Sequence, residues 1–206
     1  MNIYSALYND DAHLSAAFNS SFETVSNVQA CNKPGLLILH GGSDIHPSLY
    51  GEENIASHVQ KAPSSRDETE VELATHFLKN GWPVFGICRG MQLLTALLGG
   101  KLIQDVSNHA GGKHLMRTNT DIVLQVNSAH HQMCVLDNTD HVLTGWAEDV
   151  QSHKYIGGSK PSHEPEAVWW KQHNAYGVQW HPEWLSKDSA AVLWVLSELK
   201  TKLKKV

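Results

Sequence analysis

The chain has little of what marks secreted, membrane-spanning or nucleic-acid-binding proteins. Only three of its 206 residues are cysteines, Cys31, Cys88 and Cys134. An odd number of thiols cannot pair completely, which indicates a reducing compartment. No apolar run approaches the roughly 18 residues of a membrane span, and the first residues lack the basic and apolar regions of a signal peptide. A net charge of -5 offers no basic surface to nucleic acid. We therefore expect a cytoplasmic protein without a membrane or nucleic-acid partner.

The composition is that of an ordinary folded enzyme. Hydrophobic residues make up 41% of the chain and charged residues 18%, which argues against disorder. We expect residues 1–206 to form a single domain, with no internal repeat and no linker. Apolar runs typical of strands alternate with segments of helical spacing, and this alternation predicts a parallel α/β sheet.

Two helices can be delimited from their end signals. Ser65 to Glu68 has the form of a capping box and opens a helix. In that helix the apolar residues at helical spacing are Val71, Ala74 and Leu78. Near the end of the chain, Ser186 to Leu203 reads as an amphipathic helix through Leu193, Leu196, Leu199 and Leu203.

The most informative motif is a cysteine between two glycines. Cys88 lies in Gly86-Ile87-Cys88-Arg89-Gly90, after the apolar run Pro83-Val84-Phe85 and before a helical segment. This order of strand, glycine-flanked nucleophile and helix is typical of a nucleophile elbow. The unpaired N–H groups of the helix start favour the thiolate, which is the reactive form. The alternative for a lone cysteine beside a strand is a small buried apolar residue.

A base for that cysteine lies far along the chain. The apolar run Tyr176 to Trp180 leads into His181-Pro182-Glu183. In extended backbone, His181 and Glu183 project to the same face, so both can reach one site. His181 would then take the thiol proton and return one to the leaving amine, while Glu183 orients and stabilises the imidazole. Alone, the tripeptide His181-Pro182-Glu183 is commonly just a solvated turn at a strand end.

A third element is the apolar run that begins at Gly35 and ends in His40-Gly41-Gly42-Ser43-Asp44. Glycines directly after a buried strand let backbone N–H groups approach a ligand. Such groups, together with the N–H of Arg89, can hold a developing oxyanion. The alternative is an ordinary turn at a strand end.

Fourteen histidines raise the question of a metal. The clustered ones are His109, His114, His130 and His131, but their spacings match no zinc signature and no Cys-x-x-Cys is present. We therefore expect no metal and no cofactor. His130 and His131 are expected to line the cleft or to lie at a strand end.

Taken together and in this order, these segments resemble the class I glutamine amidotransferase superfamily. The resemblance is strongest to its γ-glutamyl hydrolase branch, peptidase C26 of the γ-glutamyl-GABA hydrolase type. The residues that carry it are Gly41-Gly42 with Asp44, Pro47 and Leu49-Tyr50-Gly51; Arg66-Asp67 with Glu70; Gly86 to Gly90 with Gln92; Asn127 to Gln132; and Gly177 to Trp184. One departure is His40, which stands where relatives often have proline.

The resemblance implies a three-layer, flavodoxin-like open sheet, mostly parallel, and a Cys-His-Glu triad. It implies hydrolysis of glutamine or a γ-glutamyl amine through a γ-glutamyl thioester. By position, Cys88 matches the nucleophile, His181 the base and Glu183 the orienting carboxylate. Gly42 and Arg89 match the oxyanion donors. The residues expected to contact the small-molecule γ-glutamyl substrate are Gly41, Gln92, Ser128 and His130.

Three functions fit these observations. The first is a free-standing hydrolase of γ-glutamyl amides, favoured by the segment from Asp44 to Gly51. The second is a glutaminase subunit that delivers ammonia to a separate synthetase partner. The third is a non-enzymatic redox or binding protein on a related fold, although such proteins generally lack a His-x-Glu pair so late in the chain.

Overall fold

The computed structural model describes residues 2–7, 15 and 21–204. In the described part, the strands are β1 Asn2–Ala6, β2 Glu23–Val25, β3 Gly35–Leu39, β4 Val84–Ile87, β5 Lys101–Ile103, β6 Asp105–Val106, β7 Lys113–Thr118, β8 Val123–Asn127, β9 Met133–Val135, β10 Val142–Ala147, β11 Tyr155–Ile156, β12 Pro165–Trp170 and β13 Ala175–Val178. The α-helices are α1 Ser65–Lys79, α2 Arg89–Leu97 and α3 Ala190–Lys202. None of the described helices has the length and apolar character needed to cross a membrane.

The main sheet has the strand order β2-β1-β3-β4-β13-β12-β10-β7-β8. Its first five strands pair in parallel. With β13 counted as the fifth strand, their order is 2-1-3-4-5, the order of flavodoxin-like folds. This confirms the predicted open α/β sheet. In such sheets ligands bind outside the carboxyl ends of the strands.

The apolar run in β3 explains the three layers. Successive strand residues face opposite sides of a sheet. Leu37 and Leu39 therefore pack in the core shared with α1 and α2, whereas Leu36 and Ile38 pack in the core shared with α3. All four side chains are buried, as expected for a strand covered on both faces.

The far half of the sheet departs from the simple alternation of strands and helices. From β13 outward through β12, β10, β7 and β8, every pairing is antiparallel. Parallel neighbours need a long crossover, whereas antiparallel neighbours can be joined by a tight turn. Such a turn joins β7 to β8, where Asp121 has a φ of 66° and Ile122 donates its N–H to Thr118 Oγ1.

The predicted capping box is displaced by one residue. Ser64, not Ser65, is the N-cap of α1, and it exchanges hydrogen bonds with Asp67. Burial on this helix centres on Leu73, Ala74 and Phe77, while Val71 and Leu78 are only partly buried. The acidic first turn of α1 therefore faces inward, which becomes important at the site.

The last helix is shorter than predicted. It begins at Ala190 because the Ser189 side chain accepts a hydrogen bond from the N–H of Val192 and caps it. Leu193 is 55% exposed, so the predicted leucine stripe is wrong at that position. The buried stripe is instead Ala191, Val192, Val195 and Leu199.

Candidate active site

Three loops meet at one edge of the parallel half of the sheet. Gly41-Gly42 follow β3, Cys88 follows β4 and His181 lies three residues after β13. These strands are neighbours in the order β3-β4-β13. Because parallel strands end at the same edge, residues more than 90 positions apart in the chain are brought together there.

Cys88 occupies a sharp turn between β4 and α2. Its φ of 50° and ψ of -105° lie outside the common regions for a residue with a side chain. Such a conformation costs on the order of 1–3 kcal/mol and persists only where the surroundings impose it. The Cys88 N–H donates to the Val178 carbonyl at 2.7 Å, which ties the turn to β13. The predicted strand, turn and helix are thus present around the cysteine.

The two flanking glycines are explained by backbone packing. A Cβ on Gly86 would lie 2.5 Å from the carbonyl carbon and oxygen of Gly90, and a Cβ on Gly90 would overlap the carbonyl of Leu39. Only glycine at both positions lets α2 start so close to β3 and β4. The glycines therefore position the helix N-terminus beneath Cys88.

His181 connects the cysteine to a carboxylate. Its Nδ1 donates to Glu183 Oε1 at 2.6 Å. Burial alone would lower the pKa of His181, but hydrogen bonds to Cys88 and Glu183 and the negative charges of those groups raise the pKa to about 9. The imidazolium is therefore stabilised from both sides. This geometry can deliver a proton to a leaving group while the sulfur acts as nucleophile.

The way Glu183 reaches His181 differs from the prediction. Residues Pro182–Trp184 form a 3-10 turn instead of extended backbone. The two side chains meet because the chain folds back after Pro182, not because they alternate along a strand. The predicted contact between His181 and Glu183 is present, but the prediction of extended backbone between them is wrong.

Two further residues hold His181, and motif reasoning assigned neither of them a role. Asn127 Oδ1 accepts from the His181 N–H at 2.7 Å, and Asn127 Nδ2 donates to the His181 carbonyl at 2.8 Å. Trp184 stacks on the imidazole, with ring centres 3.8 Å apart and planes at 4°. A signal was available for Trp184, which directly follows Glu183. Asn127 belongs to a segment that carries the family resemblance, but its contact with His181 is seen only in the fold.

The glycine loop approaches the imidazole directly. A Cβ on Gly41 would overlap His181 Cε1, and Gly42 has a φ of 146° that favours glycine. Arg66 Nη2 donates to the carbonyls of His40 and Gly41 at 3.1 and 3.0 Å. In a trans peptide the carbonyl and the N–H point in opposite directions, so the Gly42 N–H points away from Arg66.

His40, which replaces the proline common in relatives, has its own anchor. Its Nε2 lies 2.9 Å from Ser5 Oγ, and both side chains are buried. The loop is therefore tied to β1 on one side and to Arg66 on the other.

The side chain of Arg89 has a structural position. It is 1% exposed and forms ion pairs with Asp67, at 2.5 Å, and with Glu70. Arg66 Nε also donates to Glu70, at 2.9 Å. The charges of the two arginines and two carboxylates balance. Arg89 is the first residue of α2, where backbone N–H groups have no acceptor within the helix.

The residues expected to contact substrate lie in two places. Gly41 lies against His181, and Gln92 Nε2 donates to Gln179 Oε1 at 3.4 Å. Gln179 in turn donates to Cys88 Sγ at 3.6 Å, which places Gln92 one side chain away from the sulfur. Gln179 is a site residue that the motif reasoning did not single out.

Ser128 and His130 face a different neighbour. Ser128 Oγ donates to the carbonyl of His109 at 2.9 Å, and the rings of His130 and His109 lie 4.5 Å apart. Both residues belong to the segment that follows Asn127.

Two groups in the described part of the chain bring together side chains that could hold a metal ion. They are Asp44 with His58 and His131, and His109 with His130 and Glu166. The sequence spacing predicted no metal. Spacing could not reveal these groups because each joins residues from separate segments of the chain.

Comparisons with known proteins agree with this arrangement. The glutamine amidotransferase-like protein YvdE of Lactococcus lactis subsp. lactis is 31% identical over 167 residues, covering 71% of this chain and 65% of the relative. Protein NtpR of Enterococcus hirae is 31% identical over 174 residues, covering 71% and 66%. The chain therefore spans slightly less than two thirds of the length of these curated relatives. GMP synthase [glutamine-hydrolyzing] of Bacillus cereus is 31% identical over 160 residues, which is 78% of this chain and 26% of that protein.

Solved structures share the fold. A glutamine amidotransferase of Thermotoga maritima superposes with a TM-score of 0.61 at 17% identity, covering 97% of this chain and 83% of the other. PurLQS from Thermotoga maritima gives a TM-score of 0.59 at 17% identity, covering 96% and 98%. At this identity the likeness concerns the fold alone. The Peptidase C26 family model matches residues 23–183, most of the chain. The chain therefore belongs to the peptidase C26 family, within the class I glutamine amidotransferase-like superfamily.

Proposed function

We propose that this protein hydrolyses the amide bond of a γ-glutamyl compound, glutamine or a γ-glutamyl amine, with Cys88 as nucleophile. The observation that carries the proposal is the chain of contacts from Cys88 to His181 to Glu183 at the carboxyl edge of the sheet. A strained cysteine at a helix start, a histidine and an orienting carboxylate are the parts that nucleophilic catalysis needs.

The reaction would proceed in two halves. The Cys88 thiolate attacks the amide carbon, and the oxyanion that forms accepts hydrogen bonds from the N–H groups of Gly42 and Arg89. His181 gives its proton to the leaving nitrogen, the C–N bond breaks, and a γ-glutamyl thioester remains. Water then attacks the thioester while His181 takes its proton, and the departing thiolate releases glutamate.

The amino-acid head of the substrate would lie against Gly41 and Gln92. Gln92 is one side chain from Cys88 through Gln179, which supports its place in this set. Ser128 and His130, which the sequence predicts for the same role, lie instead beside His109. The amine side of the substrate is left undefined by this set.

A second candidate is a glutaminase subunit that supplies ammonia to a synthetase. It is favoured by relatives whose names include a glutamine-hydrolysing GMP synthase and by the fold shared with PurLQS. Contacts of the glycine loop with Arg66 and Ser5 of the same chain support a loop that is formed without a partner. We therefore favour the free-standing hydrolase.

The test is turnover by the purified chain. Glutamine, γ-glutamyl-putrescine and γ-glutamyl-GABA are offered separately, and both amine and glutamate are measured. We expect release from at least one substrate by the wild type and none by Cys88→Ala. Turnover only after addition of a cell extract would favour the synthetase subunit. No turnover under either condition would contradict both enzymatic proposals.

A further inference from the structure

A second cluster of titratable side chains lies buried in the antiparallel half of the molecule. His109 follows β6, His114 lies in β7, His130 follows β8 and Glu166 lies in β12. Their residue exposures are 0%, 9%, 6% and 1%. The hydrolytic mechanism uses neither His109, His114 nor Glu166.

Glu166 is the unusual member of this cluster. Both of its carboxylate oxygens are buried. His114 Nε2 lies 3.0 Å from Glu166 Oε1, within ion-pair distance when the imidazole is protonated. A buried carboxylate is costly unless a cation neutralises it. The other oxygen, Oε2, has no hydrogen-bond partner.

His130 presents a free nitrogen to the same place. Its Nδ1 lies 2.8 Å from the carbonyl of Gln132, which fixes the ring proton on Nδ1. Its Nε2 is buried and has no partner. The buried Nε2 is therefore the nitrogen that could bind a metal ion.

His109 is held by a carboxylate on its far side. Its Nε2 lies 3.1 Å from Glu164 Oε2, and its Nδ1 lies 3.9 Å from Glu166 Oε1. Ser128 Oγ also lies 3.2 Å from Nδ1. Glu164 also accepts hydrogen bonds from the backbone N–H groups of Gln151 and Ser152, at 2.8 and 2.9 Å, which fix its carboxylate beside the ring.

These contacts reproduce the surroundings of metal-bound histidines. Such histidines almost always donate their second ring nitrogen to a carboxylate or to a backbone carbonyl. His109 faces the first kind of partner and His130 the second. The ligand atoms of His109, His130 and Glu166 all lie within 4.8 Å of one another, a separation that modest side-chain movement would close around one ion.

We propose that His109, His130 and Glu166 form a buried Zn²⁺ site. Two imidazoles and one carboxylate, with water in the fourth position, suit a tetrahedral Zn²⁺, with ligand distances of about 2.0–2.2 Å. The ion would neutralise Glu166 and tie β12 to the segments that follow β6 and β8. Because Asn127 at the end of β8 holds the His181 backbone, the site would stabilise the region beside the proposed nucleophile without taking part in the hydrolysis.

The test uses Co²⁺ as a spectroscopic substitute for Zn²⁺ in the full chain carrying Cys88→Ser, so that the thiolate cannot bind the ion. We expect one Co²⁺ per chain with the visible absorption bands of a tetrahedral nitrogen and oxygen site, and displacement by Zn²⁺. Glu166→Gln and His130→Asn should each weaken binding at least tenfold. Exposed His153→Gln is the matched control and should bind as the parent does.

The second group that could hold a metal ion, Asp44 with His58 and His131, provides the comparison. His58→Gln removes a member of the group formed with Asp44 and His131. Retained binding in this variant supports the buried site. If His58→Gln abolishes binding while Glu166→Gln leaves it intact, the proposal is wrong. An absence of any saturable Co²⁺ or Zn²⁺ binding also overturns it.

Thermal stability separates the metal site from a simple buried ion pair. For a metal site, Zn²⁺ raises the melting temperature of the Cys88→Ser protein but not that of the same protein with Glu166→Gln. If Glu166 serves only as an ion-pair partner of His114, Zn²⁺ changes neither melting temperature. Glu166→Gln then lowers the melting temperature by the same amount with and without Zn²⁺. The second result would overturn the proposal whether or not the protein hydrolyses γ-glutamyl amides.

Discussion

At the scale of single residues, the protonation of His181 should set the alkaline limit of activity. The raised pKa of about 9 means that the imidazolium persists across neutral pH and is lost as the pH rises through that value. Since the leaving nitrogen needs this proton, we expect kcat/KM for the best substrate to fall above pH 9. A pH profile measured between 6 and 10.5 checks this, and a rate that is flat across that range would contradict it.

Glu183 should control where that limit falls. Glu183→Gln keeps the shape of the side chain and removes the charge that helps to stabilise the imidazolium, so the alkaline limb should move to lower pH. We expect this variant to retain more activity than His181→Ala, which loses the proton donor altogether. Steady-state rates of both variants test this order of activity, and circular dichroism checks that both variants are folded. Near-normal activity of His181→Ala would refute the proposed triad.

The three cysteines should differ sharply in reactivity. Burial, with the charge of Glu23, raises the pKa of Cys31 to about 11, and burial raises the pKa of Cys134 to about 12. Cys88 alone lies beside a histidine and at a helix start. We expect iodoacetamide to label Cys88 first at neutral pH. Peptide mass spectrometry identifies the adduct, and preferential labelling of Cys31 or Cys134 would be the contrary outcome.

Residue motifs predicted that Cys88, His181 and Glu183 act together, but not which residues hold the surrounding backbone in place. The cysteine elbow and His181-Pro182-Glu183 are local in sequence, so their chemistry can be read from neighbouring residues. Asn127 hydrogen-bonds the backbone of His181, 54 positions away. Arg66 donates to the carbonyls of Gly41 and His40, 25 and 26 positions away. Such contacts depend on how strands pack, which no local pattern records.

At the scale of elements, the first turn of α1 anchors the start of α2 through a buried ion-pair network. Glu70 is fully buried and bonds both Arg66 and Arg89. Glu70→Ala would remove a buried carboxylate that pairs with both arginines and would leave the buried Arg89 with Asp67 alone, which costs about 3–5 kcal/mol. Glu72→Ala, on the exposed face of the same helix, should change stability by less than about 0.5 kcal/mol. Urea unfolding of both variants tests this, and equal effects would contradict the anchoring role.

Helix boundaries depended on which of several candidate caps the structure uses. Ser64 and Ser65 stand together at the start of α1, and Ser186 and Ser189 precede α3, so each start had competing caps. Ser64 caps the first helix because Asp67 returns its hydrogen bond, and Ser189 caps the last. The buried face of α3 follows from its position against the sheet, which is why Leu193 is exposed despite its apolar spacing.

At the scale of the whole molecule, the two halves of the sheet position different groups of residues. The parallel half gathers Gly42, Cys88 and His181 at one edge, and its existence could be predicted from alternating strands and helices. The antiparallel half supplies Asn127 and the buried histidine cluster. Its strand order was not predictable, because short antiparallel connections permit several pairings with the same apolar pattern.

The central claim is that Cys88 carries a γ-glutamyl group during turnover. The most direct test is intact-protein mass spectrometry of the purified chain after rapid acid quenching of its reaction with glutamine and the two γ-glutamyl amines. We predict an added mass of one glutamyl group on the wild type, mapped to Cys88 by peptide analysis and absent from Cys88→Ser. Release of glutamate without any adduct on Cys88, or turnover that survives Cys88→Ser, would contradict the account.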